Sequence, residues 1–420
     1  MKPLSQNSVL AKQNYLIPIT KRPEICFVRG KGHYLYDQND KGYLDWVQGW
    51  AVNTLGHSPQ VMQQALIKQS AQLINPGPAF YNQPMLELAE LLCENSKFDE
   101  VFFTNSGAEA NEGAIKLARK WGQKNKQGAF KVITFDHSFH GRTLATMSAT
   151  GKEAFAPLFE PKVSGFTKVP YNNLAATEAA IDDQTVAIML ELIQGEAGVI
   201  PADPAFVAGL NVLCKQHNIL LIVDEVQTGI GRTGSLFAYQ YFQAEPHIMT
   251  LGKGLGGGVP IAAMVVDKAI SCFDYGDQGG TYNGNPLMCA VSTAVVQEVL
   301  AEGFLEQVNQ VSDYFCQQLS VLAEEFGLGA TRGSGLLLAM NTGQLSAPGI
   351  VELAREAGLL LNAPREDSLR FMPALTLTEK EVDEGIALLA DLLSELIKPE
   401  HEQETGLLAG DMVSENRCDD

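Results

Sequence analysis

The sequence predicts an α/β protein in which helices cover a mostly parallel sheet. Short apolar runs recur along the chain and alternate with stretches of helical periodicity, which is typical of repeated strand–helix units. The run at residues 219–223 is apolar throughout, as expected for a strand that is buried on both faces. With 420 residues and 45% hydrophobic content, the chain can form a large core.

The segment before residue 60 is predicted to form a small sheet without helices. Runs typical of strands at 27–29 and 34–37 flank a Gly-Lys-Gly turn, and a second turn leads into residues 43–46. Two short hairpins of this kind favour a small sheet at the edge of a domain.

The middle of the chain is where helices and strands alternate. Helical patterns cover 60–73, 84–89 and 108–121, and a further helix is predicted to start at Asp203 and Pro204. The predicted strands are 101–104, 132–135, 186–190, 219–223, 248–251 and 263–266. This alternation predicts the large domain.

The C-terminal part has a different order of elements. Helices are predicted from Asn285 to about residue 301 and over 305–326, followed by strands at 336–340 and 369–372. The last helix begins at a capping-box pattern, Thr378 with Glu381. We therefore expect a segment 1–59 that packs with the small domain, a large domain 60–304, a small α+β domain 305–398 and an acidic tail 399–420 that is disordered.

Composition excludes several classes of function. A formal net charge of -19 argues against non-specific nucleic-acid binding. No apolar run approaches the roughly 18 residues that span a bilayer, and the N-terminus lacks a signal-peptide pattern, so we expect a cytoplasmic protein. The seven cysteines show no C-x-x-C spacing, and His137 and His140 lie in a predicted loop, so we expect no metal site.

Three loops that follow predicted strands contain candidate binding residues. Residues 105–110 open a helix with small residues, which either form an anion site from backbone N–H groups or an ordinary strand–helix turn. In the next loop, Arg142 either binds a carboxylate or lies on the surface. Glu191 and Glu196 follow a third strand. They either face a crevice shared with the other two loops or are exposed to solvent.

Asp224 and Lys253 form the strongest pair of candidates. Each lies at the end of a predicted strand, and Lys253 is in a glycine-rich turn. Ligands of open α/β sheets bind outside the carboxyl ends of the strands, so the two groups are expected to meet in one crevice. A lysine that bonds an aldehyde, opposite an acid that keeps a ring nitrogen protonated, is typical of pyridoxal phosphate chemistry.

Six motifs in this order resemble the class III aminotransferases, over nearly all of the chain from about residue 17 to 396. They occupy residues 105–110, 139–143, 194–196, 224–229, 252–254 and 281–286. The resemblance implies a fold-type I pyridoxal 5′-phosphate enzyme that forms a homodimer with active sites at the subunit interface.

The resemblance also implies how the cofactor is bound. Lys253 would bond the cofactor and move the proton, Asp224 would pair with the pyridine nitrogen, and Gln227 would bond the phenolic oxygen. The phosphate would lie against Ser106, Gly107 and Ala108, with Thr281 of the partner subunit. Phe139 would stack on the ring.

The substrate roles implied by the resemblance fall on two arginines and a glutamate. Arg142 would bind the carboxylate of N-acetylornithine, and Arg370 the α-carboxylate of glutamate or 2-oxoglutarate. Glu196 would pair with Arg370 while the ω-amine is bound and release it for glutamate.

The activity implied is transfer of the δ-amino group of N-acetylornithine to 2-oxoglutarate. Succinylornithine, ornithine, 4-aminobutyrate and diamines remain alternative substrates, and a non-catalytic binding protein on the same fold is the alternative of another class. Trp50 and Asn283 depart from the residues that are common at their positions, which leaves the substrate preference open.

Overall fold

The computed structural model describes residues 11–397, and its first sheet lies in the N-terminal segment. Strands β1 (Phe27–Lys31), β2 (Tyr34–Asp37) and β3 (Gly42–Asp45) pair antiparallel in sequence order, as predicted. A fourth strand, Leu359–Leu360 from the C-terminal part, adds parallel to β3. The N-terminal segment is therefore tied to the C-terminal part by main-chain pairing.

A left-handed turn over Gln48–Ala51 follows β3 and was not predicted. Its four residues have φ values of 48, 62, 63 and 63°, a conformation that costs non-glycine residues about 1–2 kcal/mol each. Asp45 stabilises the turn, because its Oδ1 accepts the amide N–H groups of Val47 and Gln48 at 2.8 and 2.9 Å. The turn packs against the segment that starts at Lys253.

The central sheet has seven strands. They are β4 (Glu100–Thr104), β5 (Lys131–Phe135), β6 (Phe166–Val169), β7 (Thr185–Leu190), β10 (Leu220–Asp224), β11 (Ile248–Leu251) and β12 (Ala262–Val266); the short β8 (Ile193–Gln194) and β9 (Ile200–Pro201) form a separate hairpin. The order is β4-β12-β11-β10-β7-β5-β6, and only β12 runs antiparallel to its neighbours. The predicted mostly parallel sheet is confirmed, with β6 in addition.

Helices cover both faces of this sheet because side chains alternate along its buried strands. Ile133, Ile188 and Leu221 face one layer of the core, whereas Val132, Ala187 and Ile222 face the other. The helices of this part are α1 (Gln60–Ser70), α2 (Gln83–Glu94), α3 (Gly107–Asn125), α4 (Leu144–Ala149), α5 (Leu174–Ala179), α6 (Pro204–His217), α7 (Ala238–Phe242) and α8 (Pro286–Val299). Two helices end at residues other than those predicted. α1 ends at Ser70 instead of residue 73, and α3 continues to Asn125 instead of ending at residue 121.

The C-terminal part is an antiparallel sheet with three helices. Its strands are β13 (Thr331–Ser334), β14 (Leu337–Asn341), β16 (Asn362–Arg365) and β17 (Ser368–Phe371), with β15 (Leu359–Leu360) in the N-terminal sheet; its helices are α9 (Phe304–Phe326), α10 (Ala347–Ala357) and α11 (Glu379–Ile397). β13, β16 and α10 were not predicted. One half of the predicted capping box is present, since Thr378 N donates to Glu381 Oε2 at 3.2 Å.

Within residues 11–397, no single helix is long and apolar enough to cross a membrane. The pair α8 and α9, which meet at 68°, passes that test together by length and composition only. The predicted disordered tail, 399–420, lies outside the described residues.

Candidate active site

A cavity of about 390 Å³ opens at the carboxyl edge of the central sheet, where the predicted site residues meet. It is lined by Ser106, Gly107, Ala108, Asn111, Phe139, His140, Gly141, Arg142, Glu191, Glu196, Asp224, Val226, Gln227 and Lys253. Nine of the predicted site residues therefore share one cavity, although they come from five separate loops and turns.

Asp224 lies at the base of this cavity in a network of hydrogen bonds. Its Oδ2 accepts from Asn111 Nδ2 and contacts His140 Nδ1, both at 2.8 Å, and its Oδ1 accepts from the N–H of Val226 at 3.1 Å. Thr250 Oγ1 donates to Asn111 Oδ1 at 2.7 Å. The carboxylate of Asp224 is 4% exposed and is held in one orientation.

Lys253 faces Asp224 from the turn after β11. The Nζ of Lys253 makes no hydrogen bond with any residue in 11–397, and its backbone has a φ of 42°. Burial, and then the positive charge of Arg370, lower the pKa of this amine below its ordinary value. A lysine with a lowered pKa has a larger neutral fraction, which is the nucleophilic form.

The N-terminus of α3 forms one wall of the cavity. Ser106 caps the helix, since its Oγ accepts from Glu109 N at 3.3 Å, and Glu109 Oε2 accepts from Ser106 N at 2.8 Å. The amides of Gly107 and Ala108 follow and have no partner within the helix. At Gly107 a Cβ would lie 2.6 Å from the side chain of Val226, so the wall requires glycine there. This geometry suits a phosphate group.

Phe139 and Arg142 project from the loop after β5. Glu191 Oε2 accepts the amide N–H of Phe139 at 3.0 Å, and the guanidinium of Arg142 lies 4.3 Å from the ring centre of Phe155. Burial, reinforced by the charge of Asp224, raises the pKa of Glu191 well above its ordinary value. Glu191 therefore fixes the loop that presents the aromatic ring.

Glu196 forms two ion pairs at the far end of the cavity. Arg370 Nη2 donates to Glu196 Oε1 at 2.8 Å, and Lys152 Nζ lies 3.3 Å from Oε2. Burial alone would raise the pKa of Glu196, but Arg370 and Lys152 lower it below its ordinary value. Arg370 Nε also donates to Asn362 Oδ1 at 2.9 Å, whereas its Nη1 is buried and has no partner among the described residues.

Gln227 presents a buried donor that has no partner. Its Nε2 forms no hydrogen bond with the described residues, although the side chain is only 8% exposed. A buried donor left unpaired is costly, so this atom is suited to an acceptor supplied by a ligand.

These features fit pyridoxal phosphate on chemical grounds. The unpartnered Nε2 of Gln227 offers a donor for a phenolic oxygen, and Asp224 offers a buried carboxylate for a protonated ring nitrogen. The free amides of Gly107 and Ala108 offer donors for a phosphate, and Lys253 offers a primary amine. The residues therefore match the donors and acceptors of the cofactor.

Four residues singled out in the sequence lie outside the lining of this cavity. Arg370 contacts it only through its ion pair with Glu196. Thr281 is exposed, and so is Trp50 at the tip of the left-handed turn, with 52% exposure. Asn283 accepts a hydrogen bond from Asn105 Nδ2 at 3.0 Å. The role of Thr281 in the partner subunit stays a prediction.

Asn111, His140 and Lys152 were not predicted as site residues. A buried asparagine on the otherwise apolar face of α3 was a usable signal for Asn111, since buried amides need partners. His140 lies inside the motif at 139–143, but nothing in the sequence indicates its contact with Asp224. No group of three or more His, Cys, Asp or Glu side chains able to hold a metal ion occurs between residues 11 and 397.

Comparisons with known proteins agree on one family. Residues 18–393 match the family model described as aminotransferase class-III. The chain is 57% identical over 385 residues to an acetylornithine aminotransferase from Ralstonia nicotianae, which covers 90% of this chain and 96% of that protein.

Solved structures also superimpose on nearly the whole chain. An ornithine aminotransferase from Toxoplasma gondii ME49 has a TM-score of 0.88 at 29% identity and covers 96% of each chain. An N-acetylornithine aminotransferase from Stenotrophomonas maltophilia K279a has a TM-score of 0.80 at 33% identity and covers 93% of this chain and 99% of that one.

Proposed function

Because the chain belongs to the class III aminotransferases, we propose that it transfers the δ-amino group of N-acetylornithine to 2-oxoglutarate. The products are N-acetylglutamate 5-semialdehyde and glutamate, as arginine biosynthesis requires. The observation that carries this proposal is the ion pair of Arg370 with Glu196, since Glu196 lines the same cavity as Arg142 and Lys253. The cofactor is pyridoxal 5′-phosphate, which the family uses.

The cofactor, when bound, supplies an aldehyde that takes up the amino group and a pyridinium ring that accepts electrons from the substrate carbon. Asp224 keeps the ring nitrogen protonated, and Asn111 and His140 hold its carboxylate in place. Lys253 would bond the aldehyde of the cofactor, and its Nζ would move the proton at the substrate carbon. Burial, and then the charge of Arg370, lower the pKa of Lys253, which favours the neutral amine that can accept a proton.

The remaining cofactor contacts follow from the walls of the cavity. Gln227 Nε2 would donate to the phenolic oxygen, and Phe139 would stack on the ring. Ser106, Gly107 and Ala108 would bind the phosphate through the N-terminus of α3. Thr281 of the partner subunit would complete this phosphate site.

Charge balance explains how one pocket accepts two unlike substrates. Arg142 binds the carboxylate of N-acetylornithine while Glu196 neutralises Arg370. When glutamate binds, its α-carboxylate takes Arg370 and Glu196 moves away. While N-acetylornithine is bound, the buried guanidinium of Arg370 would be unpaired without Glu196, which is energetically unfavourable. This is the physical reason for the switch.

A homodimer in the cytoplasm and a division into large and small domains belong to the same proposal. Large apolar side chains that are exposed in the protomer support the dimer; they include Tyr15, Ile17, Ile67, Phe80 and Tyr81. The domain bounds 1–59, 60–304 and 305–398 are supported by the separate sheets and by the pairing of β15 with β3.

Ornithine is the second candidate substrate, because the superposition on an ornithine aminotransferase covers 96% of the chain. The decisive experiment is a panel of kcat/KM values for the purified holoenzyme with 2-oxoglutarate as acceptor. The panel consists of N-acetylornithine, succinylornithine, ornithine, 4-aminobutyrate and a diamine. A highest value for N-acetylornithine is expected. A higher value for any other amine would refute the proposed substrate.

A further inference from the structure

Glu196 lies between two cavities, and Lys152 lies on the outer side. The inner cavity contains Asp224 and Lys253. The outer cavity, of about 560 Å³, is lined by Lys152, Glu196 and Arg365 among others and lies between the large sheet and the β16 segment. Both oxygens of Glu196 are bound by cations, Oε1 by Arg370 and Oε2 by Lys152.

The two cations differ in their surroundings. The side chain of Arg370 is 1% exposed and fixed by Asn362, whereas that of Lys152 is 36% exposed and its Nζ lies 5.8 Å from the ring centre of Phe155. Lys152 is therefore free to follow a carboxylate toward solvent, but Arg370 is not. Among the described residues, Lys152 and Arg370 are the two cations paired with Glu196.

Arg370 alone cannot balance the charge of Glu196 in both states of the proposed switch. When the α-carboxylate of glutamate takes Arg370, Glu196 loses an ion pair and lies beside a second carboxylate. A partly buried carboxylate without a partner is unfavourable, so its displaced position needs a cation. The outer cavity provides the room, and Lys152 is already in contact.

We propose that Lys152 is a positioning residue that holds Glu196 in its displaced position and so favours the glutamate half-reaction. Glu196 then turns about its side-chain bonds, giving up Arg370 but keeping its ion pair with Lys152, so that its charge is not left unpaired. This inference rests on the proposed function and names a partner of the switch outside the catalytic cavity.

The test measures the two half-reactions of the holoenzyme separately by stopped-flow absorbance of the cofactor. Lys152→Met is expected to lower kcat/KM for glutamate roughly fivefold, the size of one partly exposed ion pair, and to change that for N-acetylornithine less than twofold. Lys152→Arg should restore the glutamate value. Lys268→Met is the matched control, since Lys268 is exposed and its side chain forms none of the described ion pairs.

A double-mutant cycle separates this role from a structural one. In a Glu196→Gln background, Lys152→Met should have no further effect on glutamate, because the charge that it positions is gone. Equal losses in both half-reactions, an unchanged glutamate value, or the same loss in the Glu196→Gln background would each overturn the inference. If the enzyme converts glutamate but not N-acetylornithine, the proposed substrate is refuted. The role of Lys152 is still tested in that case, because its effect on glutamate can be measured.

Discussion

Gly195 and Gln227 approach so closely that a Cβ at Gly195 would lie 1.7 Å from Gln227 Oε1. The same Cβ would lie 3.2 Å from Arg370 Nη1. The backbone of Gly195 therefore lies between Gln227, the proposed cofactor contact, and Arg370, the proposed carboxylate contact.

Gly195→Ala is expected to lower kcat/KM for both substrates by at least about tenfold, because Gln227 and Arg370 must both move. The control is Gly349→Ala in α10, where the nearest side-chain atom would be 3.6 Å away. Steady-state kinetics on both donors checks this. Unchanged kinetics for Gly195→Ala would show that the site tolerates the methyl group.

Lys253→Ala is expected to abolish covalent attachment of the cofactor. Among residues 11–397, Lys253 is the one lysine that lines the inner cavity. Borohydride reduction followed by peptide mass spectrometry should locate the cofactor on Lys253 in the native enzyme and on no lysine in the variant. Reductive labelling at another lysine of the variant would contradict the assignment.

Glu196→Ala is expected to favour glutamate over N-acetylornithine as amino donor. Without the carboxylate, Arg370 stays unpaired when N-acetylornithine is bound but is neutralised by glutamate. The ratio of the two kcat/KM values should shift toward glutamate by roughly tenfold or more. An unchanged ratio would remove Glu196 from the switch.

Asn111→Ala is expected to weaken cofactor binding roughly 10- to 100-fold, since a hydrogen bond to a buried carboxylate is worth about 1.5–3 kcal/mol. The bond lost is the 2.8 Å contact of Asn111 Nδ2 with Asp224 Oδ2. Equilibrium titration of the cofactor-free protein measures the change. Asn125→Ala, at the solvent-facing end of the same helix, is the control and should bind the cofactor normally.

Glu225→Gln is expected to flatten the pH dependence of stability. Burial raises the pKa of Glu225 to about 8 from its ordinary 4.5, so the folded protein binds this proton more tightly than the unfolded chain. Stability is therefore lost as pH rises from about 4.5 to about 8. The Tm of the variant minus that of the native protein should become more positive between pH 6 and 8.5. A constant difference would contradict the assignment.

The predictable parts of the structure are those marked by a local pattern of apolar and polar residues in the sequence. Asp224 ends a strand whose other residues are all apolar, and Lys253 follows a strand that is apolar except for Thr250, so both the strands and the polar groups after them stand out in the sequence. β6 and β16 escaped prediction because their short sequences, Phe-Thr-Lys-Val and Asn-Ala-Pro-Arg, mix polar and apolar residues without clear alternation.

The unpredicted parts of the site depend on contacts between distant segments. Lys152 becomes relevant only where its loop meets Glu196, and no local feature of Thr-Gly-Lys-Glu signals that meeting. The left-handed turn was missed because Gln48, Trp50 and Ala51 have no preference for that conformation. Its geometry is imposed by Asp45 and by packing against the Lys253 segment.

The strand order has a consequence for folding during synthesis. β4 leaves the ribosome early, yet its single neighbour in the sheet is β12, where Thr104 pairs with Ala262. Until β12 has been made, the apolar edge of β4 has no partner, and pairing across so long a loop is slow. The turn that follows β4 therefore takes its native place only once the segment containing Lys253 has also emerged. Two walls of the inner cavity, the N-terminus of α3 and the Lys253 segment, therefore mature at the same stage of synthesis.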